Sequence, residues 1–264
     1  MKFTKMHGLG NDYLYVYGAV PENVTDLCQR LSDRHFGAGS DGMIFIAPSK
    51  TADFSMRIFN ADGSEAEMCG NGIRCVGKYV YEKGLTKKTS LRIQTKAGIR
   101  ELTLHLGKTG VESVSVRMGR AIVGASISLQ TEKGDYTCIP VSVGNPHAVI
   151  LTENVHAISL PTIGPVIERH PAFPDGANVE FAELTAPQTL RVRVWERGSG
   201  VTMACGTGAC AVAAAAVTVG ICHADEMMHV LLDGGTLQIR FDADRTIVMT
   251  GPAEFVYEGE TCLC

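Results

Sequence analysis

Short runs in which apolar and polar side chains alternate recur along the whole chain, and a period of two marks a half-buried β-strand. FSMRIF and LRVRVW are clear cases, and the same pattern predicts strands at 13–17, 43–47, 54–59, 91–95, 99–106 and 111–118. A second series follows at 139–151, 178–184, 190–196, 229–240 and 246–250. Two main helices are expected near 71–83 and 207–220. Each opens at a glycine turn containing a cysteine, and each is closed by a glycine, Gly84 or Gly220, suited to a C-cap. Shorter helices are expected near 23–35, after Pro21, and near 163–169.

The two series are copies of one pattern. MCGNGIRC (68–75) and ACGTGACA (204–211) place Cys69 over Cys205 at an offset of 136 residues. That offset also superposes Phe59-Asn60 on Trp195-Glu196, Gly70 on Gly206, Gly72 on Gly208 and Gly84 on Gly220. Upstream, GLGNDYLYVY and SVGNPHAVIL both read Gly-Asn followed by a strand. A period this long is not a solenoid; it indicates duplication of a domain, with two pseudo-symmetric copies expected to face each other across a cleft. The fold class is mixed α/β (α+β). The expected division is 1–120 plus 252–264 for the half carrying Cys69, and 121–251 for the half carrying Cys205.

Composition narrows the setting. A chain of 264 residues, 45% hydrophobic and with net charge -4, is an ordinary globule of one or two domains. No Lys/Arg block is dense enough to neutralise phosphates, so no nucleic-acid partner is expected. The N-terminus lacks the apolar run of a secretory signal, and ACAVAAAAVTVGIC is shorter than the roughly 20 residues that span a bilayer, so no membrane partner is expected either. Nine cysteines is an odd number, which with no export signal disfavours a disulfide framework and points to a reducing, cytoplasmic home.

Free thiols at such turns have a chemistry. The first N–H groups of a helix lack intrahelical partners and carry the positive end of the macrodipole, so an anion is favoured there. A thiolate is one such anion: near a helix N-terminus a cysteine pKa falls from about 8.5 into the range of about 3.5–7.5. A substrate carboxylate is another, with Gly70-Asn71 and Gly206-Thr207 offering backbone N–H groups to it. A thiolate and a thiol on opposite faces of a carboxylate-bearing carbon would remove one proton and deliver another, inverting the centre. No pyridoxal motif is evident, and no cofactor is expected.

With these residues in view, KMHGLGNDY, FNADGSEAEMCGNGIRC, GNPHAV, NVEF and VWERGSGVTMACGTGACA together resemble the diaminopimelate epimerases, in order and along nearly the whole chain. The resemblance implies a pyridoxal-independent epimerase that converts LL-2,6-diaminopimelate to the meso isomer for lysine and cell-wall synthesis. The implied fold is a pair of α/β domains, each a curved mixed sheet around a central helix, with the active site in the cleft between them. It makes Cys69 and Cys205 the two bases and gives the reacting carboxylate to Gly70, Asn71, Gly206 and Thr207. Asn11, Asn60, Asn145, Asn178, Glu196 and Arg197 become substrate-recognition residues, with His147 and Glu196 tuning the thiols. The partner is a small amino acid, with no metal; a homodimer is compatible with the resemblance and not decided by the sequence. Two departures stand out: Gly42 replaces a glutamine that many members carry, and Val201 and Met203 replace a polar pair.

Plainer roles compete with these. Cys28, Cys75, Cys138, Cys210, Cys222, Cys262 and Cys264 read as small buried hydrophobes, His147 as a satisfied core histidine, Asn11, Asn145 and Asn178 as turn residues, and Glu196-Arg197 as an exposed ion pair. Cys69/Cys75 and Cys205/Cys210 lack the spacing of a structural zinc site. Among enzymes, the rival is a two-cysteine racemase of proline, hydroxyproline or histidine.

Overall fold

The computed structural model describes residues 1–262. The chain divides into two compact units, Met1–Val116 with the C-terminal stretch from Gly251, and Arg117–Thr250.

The first unit is a mixed sheet whose strands follow one another in space as 254–260, 2–8, 11–17, 42–48, 54–60, 90–95, 98–107 and 110–119. Pairing is antiparallel except at two places, 11–17 beside 42–48 and 54–60 beside 90–95, where the chain crosses over through a helix. The first crossover contains α1 (Val24–Ser32), which buries Leu27, Cys28 and Leu31. The second contains α2 (Gly70–Glu82), packed on strands 2–8, 11–17 and 98–107 and buried along nearly its whole length.

The second unit repeats the scheme. Its strands run 127–131, 134–142, 146–151, 178–186, 189–196, 228–232, 235–241 and 247–251, with parallel pairs again at 146–151 beside 178–186 and 189–196 beside 228–232. Its crossovers contain α3 (Leu160–Glu168) and α4 (Gly206–Thr218). From Ala209 to Ala216 every side chain of α4 is buried. A helix apolar on all sides belongs inside a core, and its alanines let strands approach closely. Both helices end alike: Gly84 (φ +70°) and Gly220 (φ +80°) take the left-handed conformation, and the next residue returns its N–H to the carbonyl five positions back, Leu85 to Val80 and Ile221 to Ala216, each at 3.0 Å.

Several expected elements have different bounds. The run 139–151 is two strands, because Gly144 (φ +96°) reverses the chain and pairs Ile139 with Val149. The run 229–240 is likewise a hairpin, turning at Asp233-Gly234 and pairing Leu232 with Gly235. α1 is shorter than 23–35, because Asp33 ends it and accepts the N–H groups of His35 and Phe36 in a local turn. α3 begins before the expected 163, since Pro161 sits in the first turn, where its missing N–H costs nothing. Strands 2–8, 127–131 and 254–260 were not expected; the last is largely exposed and has no clean apolar face. Cys28, Cys75, Cys138, Cys210 and Cys222 are buried, Cys262 is exposed rather than buried, and Cys264 lies outside the described residues. Among the described residues no helix is long and apolar enough to cross a membrane.

Candidate active site

In each unit the cysteine is the N-cap of the central helix. Cys69 (φ −134°, ψ 116°) and Cys205 (φ −112°, ψ 114°) have extended backbones, and each Sγ accepts the N–H of the residue three positions on, Gly72 or Gly208, at 3.3 Å. Sulfur thus takes the position that a serine or aspartate oxygen usually fills. Gly70-Asn71 and Gly206-Thr207 form the first turns, whose N–H groups have no intrahelical acceptor. Little room surrounds the first turn: a Cβ at Gly8 would lie 3.0 Å from both the Asn71 carbonyl and Arg74 Nη2.

The first unit gathers its polar groups around Cys69. The thiol donates to Asn11 Oδ1 at 3.3 Å, and Asn11 Nδ2 donates to Asp41 Oδ2 at 2.8 Å. A carboxylate only accepts, so Asp41 fixes the amide with its oxygen toward the sulfur. Arg34 and Lys5 complete the network through Asp12 and Asp41, and the two cations hold the Asp12 carboxyl below its ordinary range against the opposing effect of burial. Buried Tyr13 also faces Cys69 and Asn11; burial, then the neighbouring Cys69 and Asp41, push its hydroxyl well above the usual phenol range. Asn60, at the end of strand 54–60, bonds Ser64 Oγ at 3.1 Å rather than the cysteine. Gly42 pairs with Asn60 across the sheet, and a Cβ there would stand 2.1 Å from the Phe59 carbonyl oxygen. The backbone therefore excludes any larger side chain at this position.

The second unit surrounds Cys205 more completely. Thr207 Oγ1 lies 3.5 Å from the sulfur and receives Asn145 Nδ2 at 3.3 Å. Asn145 Oδ1 faces His147 Nε2 at 3.1 Å, and His147 Nδ1 meets Glu180 Oε1 at 2.8 Å. Glu196 accepts the Thr202 hydroxyl at 2.6 Å, and burial pushes its carboxyl above the usual range. Asn178 and Arg197 are joined to each other, the Arg197 N–H donating to Asn178 Oδ1 at 3.0 Å, while the guanidinium donates to the Asp175 carbonyl at 2.8 Å. Val201 and Met203 are exposed.

Burial sets the state of one thiol, and one further residue joins the site. Helix N-termini favour thiolates, yet burial pushes the Cys205 thiol well above its ordinary range, and the carboxylates Glu196 and Glu180 add to the effect. Both influences favour the protonated thiol at Cys205. Glu180, fully buried in strand 178–186 within the NVEF motif, is not among the residues the sequence points to. A charged residue between Val179 and Phe181, in the stretch of the strand that is buried, is the signal the sequence holds. Among the described residues no group of three His, Cys, Asp or Glu side chains is placed to hold a metal.

Two units of one topology form a fold shared with solved structures of low sequence identity. A structure titled as a probable proline racemase from Agrobacterium radiobacter aligns over the whole chain and 93% of its own length with TM-score 0.79 at 17% identity. A PhzF-family phenazine biosynthesis protein from Bacillus anthracis aligns over the whole chain and 99% of its own length with TM-score 0.78 at 20% identity. The model of the diaminopimelate epimerase family matches residues 3–123 and 139–256. The chain is 50% identical to a diaminopimelate epimerase of Methanococcus maripaludis, across 98% of this chain and 99% of the relative. It is 48% identical to the enzyme of that name from Acetivibrio thermocellus, across 100% and 99%. The chain belongs to the diaminopimelate epimerase family.

Proposed function

We propose that this protein is a pyridoxal-independent isomerase that interconverts LL- and meso-2,6-diaminopimelate, in a route to lysine and peptidoglycan precursors, with Cys69 and Cys205 acting on opposite faces of one α-carbon. The observation that carries the reading is the repeated cap: two cysteines, each at the N-terminus of a buried helix, in a chain about half identical to diaminopimelate epimerases over its full length. One thiolate takes the α-proton while the other thiol delivers a proton to the far face. Charge developing on the carboxylate is met by the first-turn N–H groups at Gly70-Asn71 and Gly206-Thr207. Cys205, protonated in its acidic surroundings, suits the delivering role for whichever isomer is attacked by Cys69.

Asn11, Asn60, Asn145, Asn178, Glu196 and Arg197 are assigned to the substrate. Arg197 suits the distal carboxylate, since a planar guanidinium grips a carboxylate through two bonds, and Glu196 suits an ammonium. His147 and Glu196 tune the thiols. A pair of reactive thiols supports a reducing, cytoplasmic setting for the enzyme, which works without a cofactor.

The test is an assay on LL-diaminopimelate beside proline, hydroxyproline and histidine, using dialysed protein in heavy water. Turnover is expected only with diaminopimelate, with deuterium at the inverted centre of early product and little in remaining substrate, because the donor thiol has exchanged with solvent. Cys69→Ala and Cys205→Ala are each expected to lose at least about a hundredfold, the low end for a positioned acid–base group. Retention of more than that by either variant, or a requirement for pyridoxal phosphate, overturns the reading.

A further inference from the structure

Glu180 stands beside Cys205 with none of its surface exposed. Its Oε1 bonds His147 Nδ1 at 2.8 Å, and its Oε2 has no hydrogen-bond partner among the described residues. A buried carboxylate left half satisfied is costly, so its position calls for an explanation. Gly208 locates that position: a Cβ built there would lie 2.6 Å from Glu180 Oε1 and 3.2 Å from Cys205 Sγ. The carboxylate and the sulfur thus share the small space that the absent side chain leaves, directly under the first turn of α4. His147 is held from its other side by Asn145, so it cannot swing away and take the carboxylate with it.

We propose that Glu180 is a positioning residue for the reaction, a fixed negative charge that keeps the proton on Cys205 until substrate arrives and so makes this cysteine the resting acid of the pair. This rests on the two-base reading given above. The groups around the thiol agree with it: burial opposes ionisation of Cys205 most, Glu196 from strand 189–196 and then Glu180 from strand 178–186 add to it, while the Thr207 hydroxyl and the Gly208 N–H favour ionisation. Cys138, on strand 134–142, shows the same influence: burial foremost, with Glu180 adding to it, pushes its thiol up to about 12. The imidazole of His147 is a further titratable neighbour, bonded to Glu180 and Asn145.

The test reads the thiol directly and needs no substrate. Thiolate absorbance is titrated against pH as the difference between each protein and the same protein carrying Cys205→Ala. In Glu180→Gln the Cys205 transition is expected at least one pH unit lower, or about ten times more thiolate at any pH below the midpoint; in Glu180→Asp, which keeps the charge, it is expected within about twofold of wild type. An unshifted transition in folded Glu180→Gln overturns the proposal. If that variant does not fold, the wild-type protein decides: with carbon-13-labelled glutamate, the Glu180 carboxyl carbon must resonate as a carboxylate near neutral pH, and a protonated carboxyl there overturns the proposal. Epimerase assays on the same samples fail or succeed separately, so loss of the two-base reading and loss of this one are distinguishable.

Discussion

At the residue scale, the thiols outside the site govern stability toward alkali. Burial pushes Cys28 and Cys138 from 9.0 to about 12, and Cys75 to about 11. These are acids whose ionised form the folded state disfavours. Their stabilising effect is intact below pH 9 and is lost as pH rises from 9 toward about 11 for Cys75 and about 12 for Cys28 and Cys138, because the unfolded chain releases protons that the native chain retains. Each thiol adds a slope of about 1.4 kcal/mol per pH unit in that window. Urea midpoints are expected to fall from pH 8 to 10, and to fall less steeply in Cys138→Ala; equal slopes would contradict the assignment. The site itself was partly legible from these same residue types. Both cysteines could be found because the motif is written twice, and Asn11, Asn145 and His147 because they follow matched Gly-Asn turns. Asp41, Tyr13 and Glu180 could not, since what makes them matter is a partner far along the chain, Cys69 for Tyr13, His147 for Glu180 and Asn11 for Asp41, and no local pattern records such distances.

At the scale of elements, glycine does two separable jobs. Gly220 ends α4 with φ +80° and has nothing within 4 Å of where a Cβ would stand, so Gly220→Ala costs only the left-handed backbone, about 1 kcal/mol. Gly164 in α3 has an ordinary helical backbone, but a Cβ would lie 2.4 Å from Trp195 Cγ and 2.7 Å from Trp195 Cβ. These atoms are at the root of a side chain anchored by Trp195 Nε1 to Glu168 at 2.6 Å and cannot move aside. Gly164→Ala is therefore expected to lose more than Gly220→Ala in chemical denaturation, about 2 kcal/mol or beyond, although helix propensity alone ranks them the other way. The reverse order would show that α3 slides freely on strand 189–196. Strands with one dry and one wet face were legible for the same reason that makes them fold, alternation. Strand 254–260 was not, because none of its positions is buried and its order comes from distant partners, strand 2–8 along its backbone and Ala38 and Lys83 at its side chains.

At the scale of the whole molecule, the duplication extends beyond the motifs to the pairing scheme, with parallel and antiparallel neighbours in the same sequence in both units. One asymmetry breaks it. In the second unit the outermost strand, 127–131, immediately precedes its neighbour 134–142; in the first, the outermost strand is 254–260, from the far end of the chain, paired with 2–8. The same segment supplies the Pro252 carbonyl that accepts Arg74 Nε at 3.1 Å, inside α2. Ending the chain at Gly251 is expected to remove hydrogen-exchange protection from strands 2–8 and 11–17 while leaving 178–186 and 189–196 protected; uniform protection would show that the last strand is dispensable. During synthesis on the ribosome the order of completion is thereby inverted. The unit that begins at Arg117 has all its strands once residue 251 has emerged, whereas the unit holding strand 2–8 waits, with one sheet edge open to stray pairing, until strand 254–260 has emerged. A stalled or prematurely terminated chain would carry a finished second half and an unfinished first, and quality control would meet the defect at the end that was made earliest.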